Sequence, residues 1–351
     1  MNKSILISVT ILVGLIISGC SSIKTEYSAE AWLTQGNVLN ECKAYKEAII
    51  AYNKAVEINP DYAEAYNNRG IAEKNKGDYD EAVKDHTRAI EIKPDYADAY
   101  YNRGVIKQGK NNNDGAISDY TKTIEIETDY TNAYNNRGVA KDDKGDYDGA
   151  IKDYTKAIEL KPDYVYAYYN RGIAKQNKGD NDGAIKDYTK AIELKPDYVD
   201  AYYNRGIVKQ NKGDNDGAIK DYTKAIELKL DYAKAYYRRG IAKFQINNCD
   251  GAISDYTKAI ELKLDDADIY AKRGAAKSSI GNLKGAIVDW GKAIELNPNA
   301  IDYSCRGNAK SVTGDYDGAI ADWEKAIQLN PDFKELLMPA IDKAKKAKEN
   351  K

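Results

Sequence analysis

Glycine recurs along this chain on a fixed ruler. Gly36, Gly70, Gly104, Gly138, Gly172, Gly206, Gly240 and Gly274 are each 34 residues apart, and Gly307 follows after 33. Alanine keeps step, from Ala48, Ala82 and Ala116 through Ala286 to Ala319. A short constant period means copies of one supersecondary unit. Such a unit cannot bury its apolar face alone, so stability comes from stacking on neighbours. The two or three globular domains that 351 residues would otherwise suggest are thereby excluded. The palette is as lopsided as a copied unit requires, with 30 Tyr against 2 Phe, 2 Met and 1 His. Lys+Arg (53) nearly cancels Asp+Glu (55), which excludes a strongly basic nucleic-acid binder and an acidic disordered tail.

Numbering each unit from Ala29, Ala63, Ala97, Thr131, Val165, Val199, Ala233, Ala267 and Ala300 gives nine units over 29–333. Within Val165–Lys178 the residues Val165, Tyr168, Gly172 and Ile173 recur at three- and four-residue spacing, a helical stripe. Gly179 ends that helix, and Asp180 or Asp182 can cap the next. Ala184, Tyr188, Ala191 and Ile192 line one face of the second helix until Pro196 stops it. Gly172 inside a helix costs about 1 kcal/mol relative to Ala, so its recurrence implies helices crossing on bare backbone. A proline closes six units (Pro60, Pro94, Pro162, Pro196, Pro298 and Pro331). Thr128, Leu230 and Leu264 stand in its place in the other three, whose junctions lack the rigid stop. Units two to nine carry Arg at position 7 and Asp at position 23, as in Arg171 and Asp187, whereas unit one has Gln35 and Ala51. Joint presence and joint absence imply pairing within each repeat, because either charge alone between helices is costly.

The 34-residue period, the A-Y-x-N-R-G string, the aromatic slots and the Pro resemble the tetratricopeptide repeat. The resemblance implies an all-α solenoid, a right-handed superhelix of helix–turn–helix repeats with an inner groove. The segment 334–351 places Leu337, Ile341 and Ala344 on one side and many Lys on the other, which reads as a C-terminal capping helix. Gly at position 19 in seven units, for example Gly183, departs from the family pattern.

At the start, Lys3 precedes an apolar run from Ile5 to Ile17, closed by Ser18, Gly19 and Cys20. A positive n-region, a short h-region and small residues read as a secretion signal over 1–19, too short to span a bilayer comfortably. Ile17-Ser18-Gly19-Cys20 resembles the lipobox of bacterial lipoproteins, which implies lipidation of Cys20 and permanent anchoring through a short linker, 20–28. An ordinary signal with a chance Cys, or an uncleaved anchor, is the other reading. The expected location is outside the cytoplasm on the cell membrane. Ser21 points to the outer membrane where there are two, by resemblance to lipoprotein sorting.

Little side-chain chemistry is available. His86 stands where six other units have Tyr and reads as a core substitute. Cys42, Cys249 and Cys305 occupy unrelated unit positions and read as free thiols; no phosphate loop, HExxH or CxxC occurs. No catalytic, metal or cofactor residue is assigned. By resemblance, positions 5 and 6 of each first helix face the groove. Position 6 is Asn68, Asn102, Asn136, Asn170 and Asn204, similar to the asparagine ladder of the O-linked N-acetylglucosamine transferase, whose amides could grip a peptide backbone. Solvation of the groove by copied residues is the alternative. Tyr101, Tyr169, Tyr203 and Tyr237 at position 5 flank that row. Lys234, Arg238 and Lys272 with Asn204 match part of the carboxylate clamp of chaperone-binding tetratricopeptide domains, although Tyr169 and Ile173 stand where that clamp has Lys and Asn. The expected function is therefore a membrane-anchored scaffold that holds a peptide or protein partner, with no nucleic acid and no metal. A cell-wall enzyme and a passive oligomerisation scaffold are the alternatives.

Overall fold

The computed structural model describes residues 27–349; the leader, Cys20 and most of the linker lie outside the described residues. Every described regular element is helical, nineteen α-helices and one short 3-10 turn, Pro331–Phe333. The chain divides into two compact units, 1–140 and 141–351, the boundary falling inside the helix Thr131–Asp143. Each unit is built the same way. A first helix such as Val165–Lys178 turns back into a second, Asn181–Leu194, and the pair packs on the next pair.

Three local devices make the hairpin. Gly at position 15 takes a left-handed conformation, φ +90° at Gly179 and +83° at Gly213, which lets the chain reverse within one residue. The residue after it caps the second helix: the Asp180 carboxylate accepts the Gly183 N–H at 2.9 Å, and Asp214 does the same for Gly217. Such caps contribute about 0.5–2 kcal/mol each. They also explain the unusual position-19 glycine, because a Cβ on Gly183 would overlap the Asp180 carboxylate. Repeats one and two have Glu47 and Glu81 there, and their capping positions, Ala44 and Asp78, make no side-chain cap bond. The third device is the close crossing. A Cβ on Gly172 would meet the ring of Tyr188 at 2.7 Å, so the fully buried Tyr188 packs directly on backbone.

The paired charges lie between the helices. Arg171 makes two parallel bonds to Asp187, at 2.8 and 2.7 Å, and the Asp is 4% exposed. The same fork joins Arg69 to Asp85, Arg205 to Asp221 and Arg306 to Asp322. Two further partners complete it. Lys175 reaches Asp187 at 2.7 Å, and the Arg171 guanidinium donates to Thr155 of the preceding repeat at 3.0 Å while lying over the Tyr168 ring. A buried carboxylate thus meets two cations and tolerates its desolvation.

Of the three junctions without Pro, two keep the ordinary bonds: Tyr130 and Tyr232 still donate to Glu127 and Lys229. The third is rebuilt. The helix Cys249–Glu261 ends early, Lys263 takes φ +66° and Leu264 donates back to Ala259. At the far end the helix Lys334–Glu349 buries Leu337, Ile341 and Ala344 against Ala319, Trp323 and Ala326, with Lys343, Lys345 and Lys346 outward. This is the capping helix read from the sequence.

Candidate groove and its two cavities

Position 5 of the first helix carries the groove tyrosines, and Tyr101, Tyr169 and Tyr203 are each wedged between two other tyrosines. In the first unit Tyr101 lies 5.8 Å from Tyr120 and 5.0 Å from Tyr130. In the second, Tyr169 lies 5.9 Å from Tyr188 and 4.8 Å from Tyr198, and Tyr203 repeats this with Tyr222 and Tyr232. Offset aromatic contacts of this kind add about 0.5–1.5 kcal/mol beyond area burial. Burial, reinforced by the charge of Asp200, pushes the Tyr169 hydroxyl up to about 12, so it stays protonated.

The asparagine amides bond across to neighbouring repeats. Asn136 donates to the Tyr101 hydroxyl at 3.0 Å and Asn204 to the Tyr169 hydroxyl at 2.8 Å, each across to the preceding repeat. Asn68 donates to Asn37, and Asn102 to Asn67. Asn170 holds the same half-buried position and is not free. The ladder is therefore first a brace between repeats. Each planar amide has a second N–H, and the tyrosine hydroxyl keeps its own proton.

The pattern breaks after Tyr237. Where Tyr198 and Tyr232 precede their repeats, the rebuilt junction supplies Asp266, so Tyr237 has Tyr256 on one side and no second tyrosine among the described residues. Two cavities open there. One, of about 290 Å³, is lined by Tyr203, Lys234, Tyr237, Arg238, Leu264 and Asp266. Lys234 and Arg238 come together in it as the sequence suggests, and neither is in an ion pair among the described residues. Lys272 does not join them. It lies 3.5 Å from Asp268 and lines a second cavity of about 530 Å³, because its own helix begins with that acid one turn earlier. Lys234 and Arg238 thus share one recess, and Lys272 of the next repeat lines the other.

The second cavity was not signalled by any motif. Ala271 and Ala275 leave room in it, Phe244 and Trp290 wall it, and Asp266 and Asp302 bring carboxylates. The available signal was departure from the repeat: Asp302 stands at position 3, where the first seven units all have Ala.

His86 is fully buried, its Nδ1 3.1 Å from the Asn67 amide oxygen. Burial, with Lys74 nearby, pushes the imidazole down to about 3, so it is neutral and serves packing under Gly70. Cys42, Cys249 and Cys305 are free thiols. Among the described residues no three His, Cys, Asp or Glu side chains gather as metal ligands, and no helix is long and apolar enough to cross a membrane.

A family profile described as TPR repeat matches residues 36–76, 72–110, 143–179, 177–213 and 211–247. Profiles described as tetratricopeptide repeat match 97–130, 233–266 and 300–333. No curated protein matches the chain. Among solved structures, the C-terminal part of a TPR repeat-containing protein from Cytophaga hutchinsonii is 22% identical over 66% of this chain and 95% of its own, with TM-score 0.59. MamA is 27% identical over 48% of this chain and 92% of its own, with TM-score 0.45. YrrB, described as a TPR protein with an unusual peptide-binding site, is 24% identical over 53% and 95%, with TM-score 0.48.

Proposed function

Because the chain belongs to the tetratricopeptide-repeat family, we propose that it is a scaffold that holds an extended peptide or a segment of a partner protein along the first-helix face. The observation that carries this reading is the Lys234–Arg238 cavity. Two cations that form no ion pair among the described residues line a recess, together with Asp266, beside the half-buried tyrosines Tyr203 and Tyr237. A side-chain carboxylate would be met by Arg238 as a fork and by Lys234 as a point charge. The Tyr faces supply apolar area, and the remaining amide donors and acceptors serve the peptide backbone.

Binding is tested by fluorescence anisotropy with labelled peptide pools of equal length, acidic or neutral. The double substitution Lys234→Ala and Arg238→Ala is expected to weaken the acidic pool by about tenfold and the neutral pool by less than about twofold, the loss of one charge-assisted contact. Equal weakening of both pools refutes the acidic docking point.

By the same proposal the scaffold is exported and anchored to the cell membrane, the outer membrane where there are two, by lipid on Cys20 after removal of 1–19. The support is the sequence Lys3, the apolar run and Ser18-Gly19-Cys20. Two acyl signals already give stable attachment, so the mature protein should stay with the membrane fraction through high-salt washing and leave it only with detergent. Mass spectrometry of the mature N-terminal peptide decides it, and an unmodified Cys20 refutes the anchor.

A further inference from the structure

Resting on the groove reading, we propose that the cavity of about 530 Å³ beside Lys272 takes a basic side chain, arginine or lysine, from the bound peptide. Four departures from the repeat converge there. Asp266 replaces a junction tyrosine, and Ala271 replaces the groove tyrosine, which together open the space. Asp302 occupies an alanine slot and is only 6% exposed. Phe244 occupies the slot of Gln108, Gln176 and Gln210, whose amide oxygens accept the hydroxyls of Tyr120, Tyr188 and Tyr222. Tyr256 loses that partner. It is fully buried, it lines the cavity, and its hydroxyl bonds to nothing among the described residues.

The charge balance selects a cation. Asp266, Asp268 and Asp302 line the cavity against one cation, Lys272, which already faces Asp268. The Asp302 carboxylate accepts from Asn299 at 2.5 Å and has no cation within ion-pairing distance among the described residues, unlike the buried Asp of every charge fork described above. Burial, with Asp268 nearby, raises its pKa, the mark of a carboxylate lacking a counter-charge. The walls suit an aliphatic stem with a charged tip: Phe244, Ala271 and Ala275 take the methylenes, and Trp290 adds to the apolar wall. The neighbouring recess with Lys234 and Arg238 shares Asp266, so an acidic residue and a basic residue of one peptide are accommodated side by side.

The test uses the full chain and labelled pentapeptide pools whose central residue is fixed as Arg, Lys, Gln, Glu or Leu. The Arg and Lys pools should bind the unmodified protein about tenfold more tightly than the Gln pool, the scale of one charge-assisted hydrogen bond. Asp302→Asn keeps an amide that can bond Asn299 and removes the charge; it should cut the preference to under about twofold. Phe244→Gln restores a partner to Tyr256 and should also abolish the preference. Lys234→Ala with Arg238→Ala should leave it intact. Equal binding of the Arg and Gln pools, with the Glu pool still held, overturns this inference and leaves the groove reading standing. Failure of every pool overturns both. A melting temperature for Asp302→Asn depressed as far as that of Asp322→Asn would make the carboxylate structural and would equally overturn the proposal.

Discussion

Among the described repeats, Glu73 breaks the buried charge pattern, and it carries a sharp expectation. Position 11 is Lys in repeats three to nine, where it bonds the buried Asp, as Lys107 bonds Asp119 at 2.8 Å. In repeat two it is Glu73, facing Asp85, with its Oε2 buried and unpartnered. Burial first, and then the Asp85 charge, push its pKa from 4.5 to about 8, against the pull of Arg69. The folded protein therefore keeps a proton that the unfolded chain releases above about 4.5, so stability falls as pH rises from there toward 8. Without screening, the two units between pH 5 and pH 7 would cost about 2.7 kcal/mol. Glu73 is only half-buried, and screening reduces this to about 1 kcal/mol. Repeat arrays open locally, so the proper readout is hydrogen exchange of amides in 63–92, supported by urea titration. Glu73→Gln should flatten the pH dependence of that segment. Glu73→Lys should complete the pattern and protect the segment at pH 7 by about 1–2 kcal/mol over the unmodified chain. A Glu73→Lys protein no more protected than the parent at pH 7, or a Glu73→Gln protein with the parent's pH slope, refutes the reasoning.

Other expectations follow from the same structure. Asp187→Ala strands Arg171 and Lys175 between helices and should cost about 3–5 kcal/mol by urea unfolding. Gly172→Ala adds a methyl into the Tyr188 ring and should lose about 1–3 kcal/mol despite better helix propensity, seen as a lowered melting temperature. Lys43 turns at φ +62°, where six other repeats have Gly, so Lys43→Gly should stabilise the first hairpin by up to about 1 kcal/mol, measured as slower amide exchange in 29–58.

The repeat fold was legible because its instructions are local and copied. Gly172 under Tyr188, Gly179 at the turn and Asp180 at the cap act within one hairpin, so the period alone exposed them. The Arg–Asp forks were legible from unit one, which lacks both partners. Lys175 and Thr155 in the same cluster were missed, although Lys at position 11 is also absent from unit one. The direction of the Asn amides was not legible. Spacing puts Asn204 alongside Tyr169, but only packing decides that the amide turns toward the hydroxyl and not into the groove. The larger cavity was hidden for another reason: Phe244, Asp266, Ala271 and Asp302 lie in three different repeats at four different unit positions, and only folding brings them to one wall.

In repeats three to eight the guanidinium reaches back to a threonine of the repeat before, as Arg171 does to Thr155 and Arg205 to Thr189. Excising a block of 34 residues from this stretch would leave every arginine opposite an identical hydroxyl, and inserting one would do the same. The middle of the array can thus be lengthened or shortened by recombination with no seam to heal. The stretch that carries Asp266, Ala271 and Asp302 departs from the repeat at each of those positions, so a block exchanged there would not match its neighbours.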